Sequence, residues 1–160
     1  MYNACIAAID ATRGRLFHYQ RTADGSGMHE SFVEDESLVN PARHERPSEL
    51  FSDKPGSSRV AAHGFGLDDH RDYNLDKLDE TFARWVLARI RELCDQHHSE
   101  RVIVCASPRM LGHLRACRNG ILGEGQILVE VPRDYTKLAP DELRDRLAAH
   151  HLLPSAPPRS

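Results

Sequence analysis

Across residues 73–106 the hydrophobic period changes from that of a helix to that of a buried strand. Leu75, Leu78, Phe82, Val86, Ile90, Leu93 and His97 recur at spacings of three and four, which lays them along one side of an α-helix over residues 73–97. The other side carries Asp76, Lys77, Asp79, Glu80, Arg84, Arg91 and Glu92, with acids early and arginines late, as the helix dipole favours. Trp85 lies beside the stripe, where it suits partial burial or a protein partner. Residues 101–106, RVIVCA, then form a continuous run of the kind found in a strand covered on both faces. Ser107 and Pro108 follow as cap and first residue of a helix over 109–118. A further strand over 126–131 and a helix over 140–151, opened by Pro140, Asp141 and Glu142, repeat the alternation. Strands separated by helices cannot be joined as hairpins, so this half predicts parallel pairing with helices on the faces of the sheet.

The front half reads as antiparallel. Residues 4–9 form a short apolar run fit for an interior strand, and residues 12–19 partly alternate beside it. Asp24-Gly25-Ser26-Gly27 signals a turn into a third strand within 28–39, whose Glu34-Asp35-Glu36 marks an edge or a bend. The fold expected is a single α/β domain over residues 1–151. Its sheet is mixed, with an antiparallel front half, a parallel βαβ back half and helices on its faces. Residues 40–72, punctuated by prolines and glycines, read as a long flexible loop with a helical turn at 47–51. Gly112 inside a helix reads either as close packing of helix on strand or as mere tolerance, and the proline-containing stretch 152–160 reads as a disordered tail.

Charge and motifs narrow the function. Against 24 Asp+Glu stand 21 Lys+Arg, a net charge of −3 that argues against a strongly basic nucleic-acid binder. No apolar run approaches a membrane span, so no membrane partner is expected. The opening stretch is too short and wrongly flanked for a signal peptide. Cys5, Cys94, Cys105 and Cys117 include no C-x-x-C pair and read as reduced thiols, which points to the cytoplasm. Neither G-x-G-x-x-G, a Walker loop, H-E-x-x-H nor G-x-S-x-G occurs. The adjacent pairs His97-His98 and His150-His151 read as helix-end imidazoles, so no metal site and no cofactor are expected.

Local charge suggests where an anion would bind. Arg101, Arg109, Arg115 and Arg118 fall in a stretch with no acid, as do Arg13 and Arg15 near the second strand. Arg109 stands close to a helix amino terminus at the carboxyl end of a strand, a position that favours anions. These six arginines are the candidates for RNA or anion contact. The alternative is metal-dependent phosphodiester hydrolysis of the ribonuclease H-like type. In it Asp10, closing the first strand, joins Glu130 or Asp134 around a divalent cation. An aspartate in that place also reads simply as a turn residue.

Four segments carry a family resemblance. They are PSELFSDKPG at 47–56, FAR at 82–84, CASPRMLGHLR at 105–115 and RDYTKLAPDEL at 133–143, with ATRGRLF at 11–17 as a matching opening. In this order they resemble the bacterial host attachment family, the proteins required for attachment to host cells. That family in turn resembles the central α/β domain of archaeal and eukaryotic class-one release factors and Pelota. There a loop before a long helix carries a Gly-Gly-Gln that enters the ribosome. The resemblance implies a translation-related binding protein whose partners are tRNA, the ribosome or another protein. It places the functional loop at Ser52, Asp53, Lys54, Pro55, Gly56, His63, Gly64 and Gly66. The chain contains no Gly-Gly-Gln, so peptide release by that route is not expected.

Overall fold

In the computed structural model the described residues are 2–44, 67–123 and 125–155. Among them, five strands and four α-helices follow one another: β1 (Tyr2–Ile9), β2 (Arg13–Asp24), β3 (Gly27–Val39), α1 (Pro41–His44), α2 (Leu67–His97), β4 (Arg101–Ala106), α3 (Pro108–Cys117), β5 (Ile127–Val131) and α4 (Pro140–Ala149). The sheet order is β3-β2-β1-β4-β5. The first three strands pair antiparallel, and β1, β4 and β5 pair parallel, as the change of period predicts.

The apolar runs occupy the middle of this sheet because only there are both faces covered. From Ala4 to Ile9 every side chain is at 0% exposure. Cys5, Ala7 and Ile9 meet α2 and α3 on one face, while Ala4, Ile6 and Ala8 meet α4 on the other. In β4, Val102 and Val104 join the first cluster and Ile103 and Cys105 the second. Leu143 and Leu147 of α4 are fully buried, each contributing about 2 kcal/mol.

The acidic triplet of β3 proves to be both an edge and a bend. Leu16 pairs with Glu36 and Phe17 with Glu34, so Asp35 is the extra residue of a bulge. The bulge splits the three carboxylates between the two faces, and each finds a basic side chain. Glu34 takes Arg15, while Glu36 takes Arg89 and Asp35 lies 3.6 Å from His97, both on α2.

Three expectations change. The interval 40–72 is not all loop: Pro41–His44 is a helical turn, and α2 begins at Leu67, because after Gly66 no proline or glycine interrupts the helix. The turn expected at 47–51 lies outside the described residues. Leu78 is 45% exposed, whereas Asp79 beside it is 2% exposed. Phe82, Ala83, Val86, Leu87 and Ile90 fix the inward direction of α2. That direction leaves Leu78 on the flank with Trp85, one heptad later. Finally, residues 152–155 are docked rather than disordered. His151 adopts φ +61°, the Leu152 amide donates to the Leu147 carbonyl at 2.9 Å, and the His151 amide donates to Ala148 at 3.0 Å. This is a Schellman ending, which turns the chain back and drops Leu153 into the second cluster. His98 closes α2 in the same way, at φ +54° with Ser99 donating to Cys94.

Glycine substitutions separate a contact from mere tolerance. A Cβ on Gly112 meets nothing within 4 Å, so the close packing expected there is absent. On Gly14 of β2 it would stand 3.1 Å from Val86 Cγ2 of α2. Gly112→Ala should therefore stabilise by about 0.5–1 kcal/mol through helix propensity. Gly14→Ala should cost about 1 kcal/mol or more by overpacking. Urea midpoints of the two variants should move in opposite directions; equal shifts would remove the distinction.

At the amino-terminal edge of the sheet, His18 stacks on His97 with ring centroids 3.7 Å apart. Asn3 Nδ2 donates to the His97 carbonyl, so Asn3 Oδ1 faces His18 Nε2 at 2.8 Å as an acceptor, and that nitrogen is the donor. Burial, then the neighbouring His97, hold the His18 pKa below its ordinary 6.5. Below pH 6.5 the unfolded chain binds a proton at His18 that the native chain resists, so stability should fall as pH drops through that value. Melting temperatures at pH 7.5, 6.5 and 5.5 should show this decline, and His18→Gln should flatten it. An unchanged slope in the variant would refute the assignment.

Candidate functional site

The carboxyl ends of β1, β4 and β5 lie along one edge of the sheet, the edge where open α/β sheets hold their ligands. Asp10, the Ser107-Pro108 start of α3 and the residues after Val131 all stand there. Ser107 caps α3, its Oγ accepting from the Met110 amide. The described chain also leaves β3 on this edge, where Asn40 donates to the Ala11 carbonyl and to Asp79 Oδ1 of α2.

The structure brings Asp10 and Asp134 together through Thr136. The Thr136 hydroxyl lies 3.0 Å from Asp10 Oδ2 and 2.6 Å from Asp134 Oδ1, and the residue is completely buried. Both carboxylates are already occupied with shaping turns. Asp10 Oδ1 accepts from the Thr12 and Arg13 amides at 2.7 Å each, and Asp134 Oδ1 accepts from the Thr136 amide at 3.0 Å. Glu130 is elsewhere, on β5, bound to Arg115 at 2.7 Å and Arg118 at 3.3 Å.

The six candidate arginines do not form one surface. Arg13 and Arg15 donate to the Thr136 carbonyl at 3.1 and 3.0 Å, and Arg15 also reaches the Leu138 carbonyl and chelates Glu34. They thereby tie the segment after β5 to β2. Arg101 begins β4, at the far end from Arg109, with its guanidinium 5.3 Å from the centre of the Tyr2 ring. Arg109 pairs with Asp76 of α2, and Arg115 and Arg118 share Glu130. The Arg109 guanidinium holds the Asp76 carboxyl below the usual carboxylate range. In this stretch free of acids in sequence, Arg109, Arg115 and Arg118 are thus neutralised by acids brought from elsewhere in the fold.

Positive charge without such neutralisation lies between β5 and α4. Arg133, Asp134, Tyr135, Arg146 and His150 line a cleft of about 480 Å³. Neither the Arg133 nor the Arg146 guanidinium makes a hydrogen bond or ion pair with a described residue. The one acid in the cleft, Asp134, is turned to Thr136. Arg146 and His150 stand at i and i+4 on one side of the helix end. The sequence signal for this group was a strand exit, Pro132-Arg133, followed by a basic i, i+4 pair.

Among the thiols, Cys5, Cys94 and Cys105 are buried, and burial pushes the Cys105 pKa up to about 12. Among the described residues no helix is long and apolar enough to cross a membrane. The loop residues Ser52, Asp53, Lys54, Pro55, Gly56, His63, Gly64 and Gly66 lie outside the described residues.

Two comparisons with known proteins bear on this geometry. Residues 5–147 match the model of the family described as "Protein required for attachment to host cells". That span runs from β1 into α4 and includes all four segments of the sequence resemblance. No curated protein matches the chain.

Proposed function

We propose, from the premise that the chain belongs to the family of proteins required for attachment to host cells, that it works by gripping an RNA backbone rather than by covalent chemistry. The observation that carries this reading is the pair of unneutralised guanidiniums, Arg133 and Arg146, facing one cleft beside His150. Guanidinium groups bind phosphate through paired N–H donors, and two of them across a cleft suit successive phosphates of a strand. Position supports the same reading, since one wall of the cleft, Arg133 to Tyr135, follows the carboxyl end of β5.

The RNA proposed is tRNA or ribosomal RNA, in keeping with the likeness of the family to the central domain of release factors. Lacking Gly-Gly-Gln, the chain would bind there without releasing peptide. Hydrolysis through Asp10 is disfavoured because its Oδ1 is held by two backbone amides and its Oδ2 faces a threonine hydroxyl.

Sedimentation of a cell lysate containing the tagged chain tests this. The chain should travel with ribosomal fractions at low salt and leave them as salt rises, the behaviour of phosphate-dominated binding. If it stays in the light fractions, or if it cleaves RNA with added Mg²⁺ and loses that activity in Asp10→Asn, the proposal is wrong.

A further inference from the structure

We propose that Asp76, Asp79 and His113 form a binding site for one first-row divalent transition cation, of the Zn²⁺ class, joining α2 to α3. Asp76, Asp79 and Glu80 occupy i, i+3 and i+4 of α2, so the helix offers three carboxylates toward one side. The neighbouring helix α3 supplies His113. Ligand atoms of Asp76, Asp79 and His113 all lie within 4.8 Å of one another. Ligands of a tetrahedral ion at about 2.1 Å are about 3.4 Å apart, so the group closes with no more than about 1.4 Å of side-chain movement.

A second observation points to a ligand. His113 Nε2 is buried and has no hydrogen-bond partner among the described residues, on a side chain only 14% exposed. Ring nitrogens so placed are ordinarily met by an ion or a bound water. The support around the carboxylates also suits a metal. Asp79, 2% exposed, is oriented by Arg43 at 2.9 and 3.1 Å and by Asn40 at 3.2 Å, the outer contacts that fix a ligating carboxylate. Asp76 is half-exposed and pairs with Arg109, which a bound cation would displace. One imidazole with carboxylates favours Zn²⁺ or its neighbours over Mg²⁺ and Ca²⁺, which prefer oxygen alone. Sequence alone hides the group, since Asp76, Asp79 and Glu80 read as the solvated side of α2 and His113 comes from a different helix.

The test is titration of the chelator-treated full chain with ZnCl₂ by calorimetry, and with Co²⁺ by visible absorption, at pH 7. One equivalent should bind, with Kd in the micromolar range or tighter. His113→Gln and Asp76→Asn should each weaken binding by at least about tenfold. Both positions lie outside the two apolar clusters, so the variants should keep the wild-type circular dichroism spectrum; Asp79 is left intact because it anchors Arg43. The proposal falls if no saturable binding occurs up to about 1 mM. It falls equally if neither substitution changes the affinity, which would assign the ion to other histidines or cysteines.

Discussion

Arg144→Ala should destabilise the protein by about 3 kcal/mol, the largest loss expected from any single charged side chain. Arg144 of α4 is 8% exposed and grips Glu30 of β3 through Nε and Nη2, the latter at 2.8 Å. Glu30 also accepts from the Tyr19 hydroxyl at 2.9 Å, on a ring that is fully buried. The three form one network that locks the last helix to the outermost strand, above the apolar contacts of Leu143 and Leu147. Its electrostatic trace is clear. Arg144 holds Glu30 below the usual carboxylate range, and burial followed by Glu30 pushes the Tyr19 pKa up to about 12.

Truncating Arg144 leaves a nearly buried carboxylate without its cation, which is what makes the loss large. The lower end of the range for a broken buried pair applies, because Glu30 keeps 15% side-chain exposure and can draw in water. The double change Arg144→Met with Glu30→Gln should cost less than about 1 kcal/mol, since it removes both charges. Urea denaturation should show a lower midpoint for the single variant at an unchanged slope. A loss below about 1 kcal/mol in Arg144→Ala would mean the network contributes little. The pH sign follows from Glu30: its depressed pKa adds stability that is complete above about pH 4.5 and disappears as pH falls below it.

Which parts of this architecture could be read from the sequence depended on how local their cause is. The strands β1 and β4 are legible because a strand covered on both faces must be apolar at every position, and residues 4–9 and 102–106 are. The Ser107 cap and the proline starts of α3 and α4 are legible because they act within one helical turn. The exact inward direction of α2 is not, since an amphipathic stripe tolerates a rotation that exchanges Leu78 for Asp79. Asp79 can be buried only because Arg43 and Asn40, from a different part of the chain, meet it there. Gly112 and Gly14 look alike in sequence, and only the approach of Val86 distinguishes them.

The candidate site was least legible for the same reason. Counting charges in a window marked Arg13, Arg15, Arg101, Arg109, Arg115 and Arg118, yet their partners Glu34, Asp76 and Glu130 arrive by folding, as do the carbonyls of Thr136 and Leu138. Arg133 and Arg146 lie 13 positions apart near acids in sequence and look ordinary. In the fold they share a cleft in which Asp134, the one acid among the described lining residues, is engaged with Thr136 through Oδ1.

The second large effect follows directly. Each unneutralised guanidinium in contact with phosphate is a charge-assisted interaction worth roughly tenfold in affinity or more. Arg133→Glu with Arg146→Glu should therefore weaken RNA binding by about 100-fold. For a single strand the slope of log K against log salt should become shallower by about 1.4, the share of two phosphate contacts. Both side chains are exposed, so the fold should be unaffected. The arginines that already hold acids should matter far less, because an RNA phosphate must displace a carboxylate to reach them. Fluorescence anisotropy with a labelled single-stranded RNA, run side by side on Arg133→Glu/Arg146→Glu and on Arg109→Ala/Arg115→Ala, decides the matter. The account predicts about a 100-fold loss in the first and less than about threefold in the second. An equal loss in both, a reversed order, or no RNA binding by the unaltered chain would contradict it.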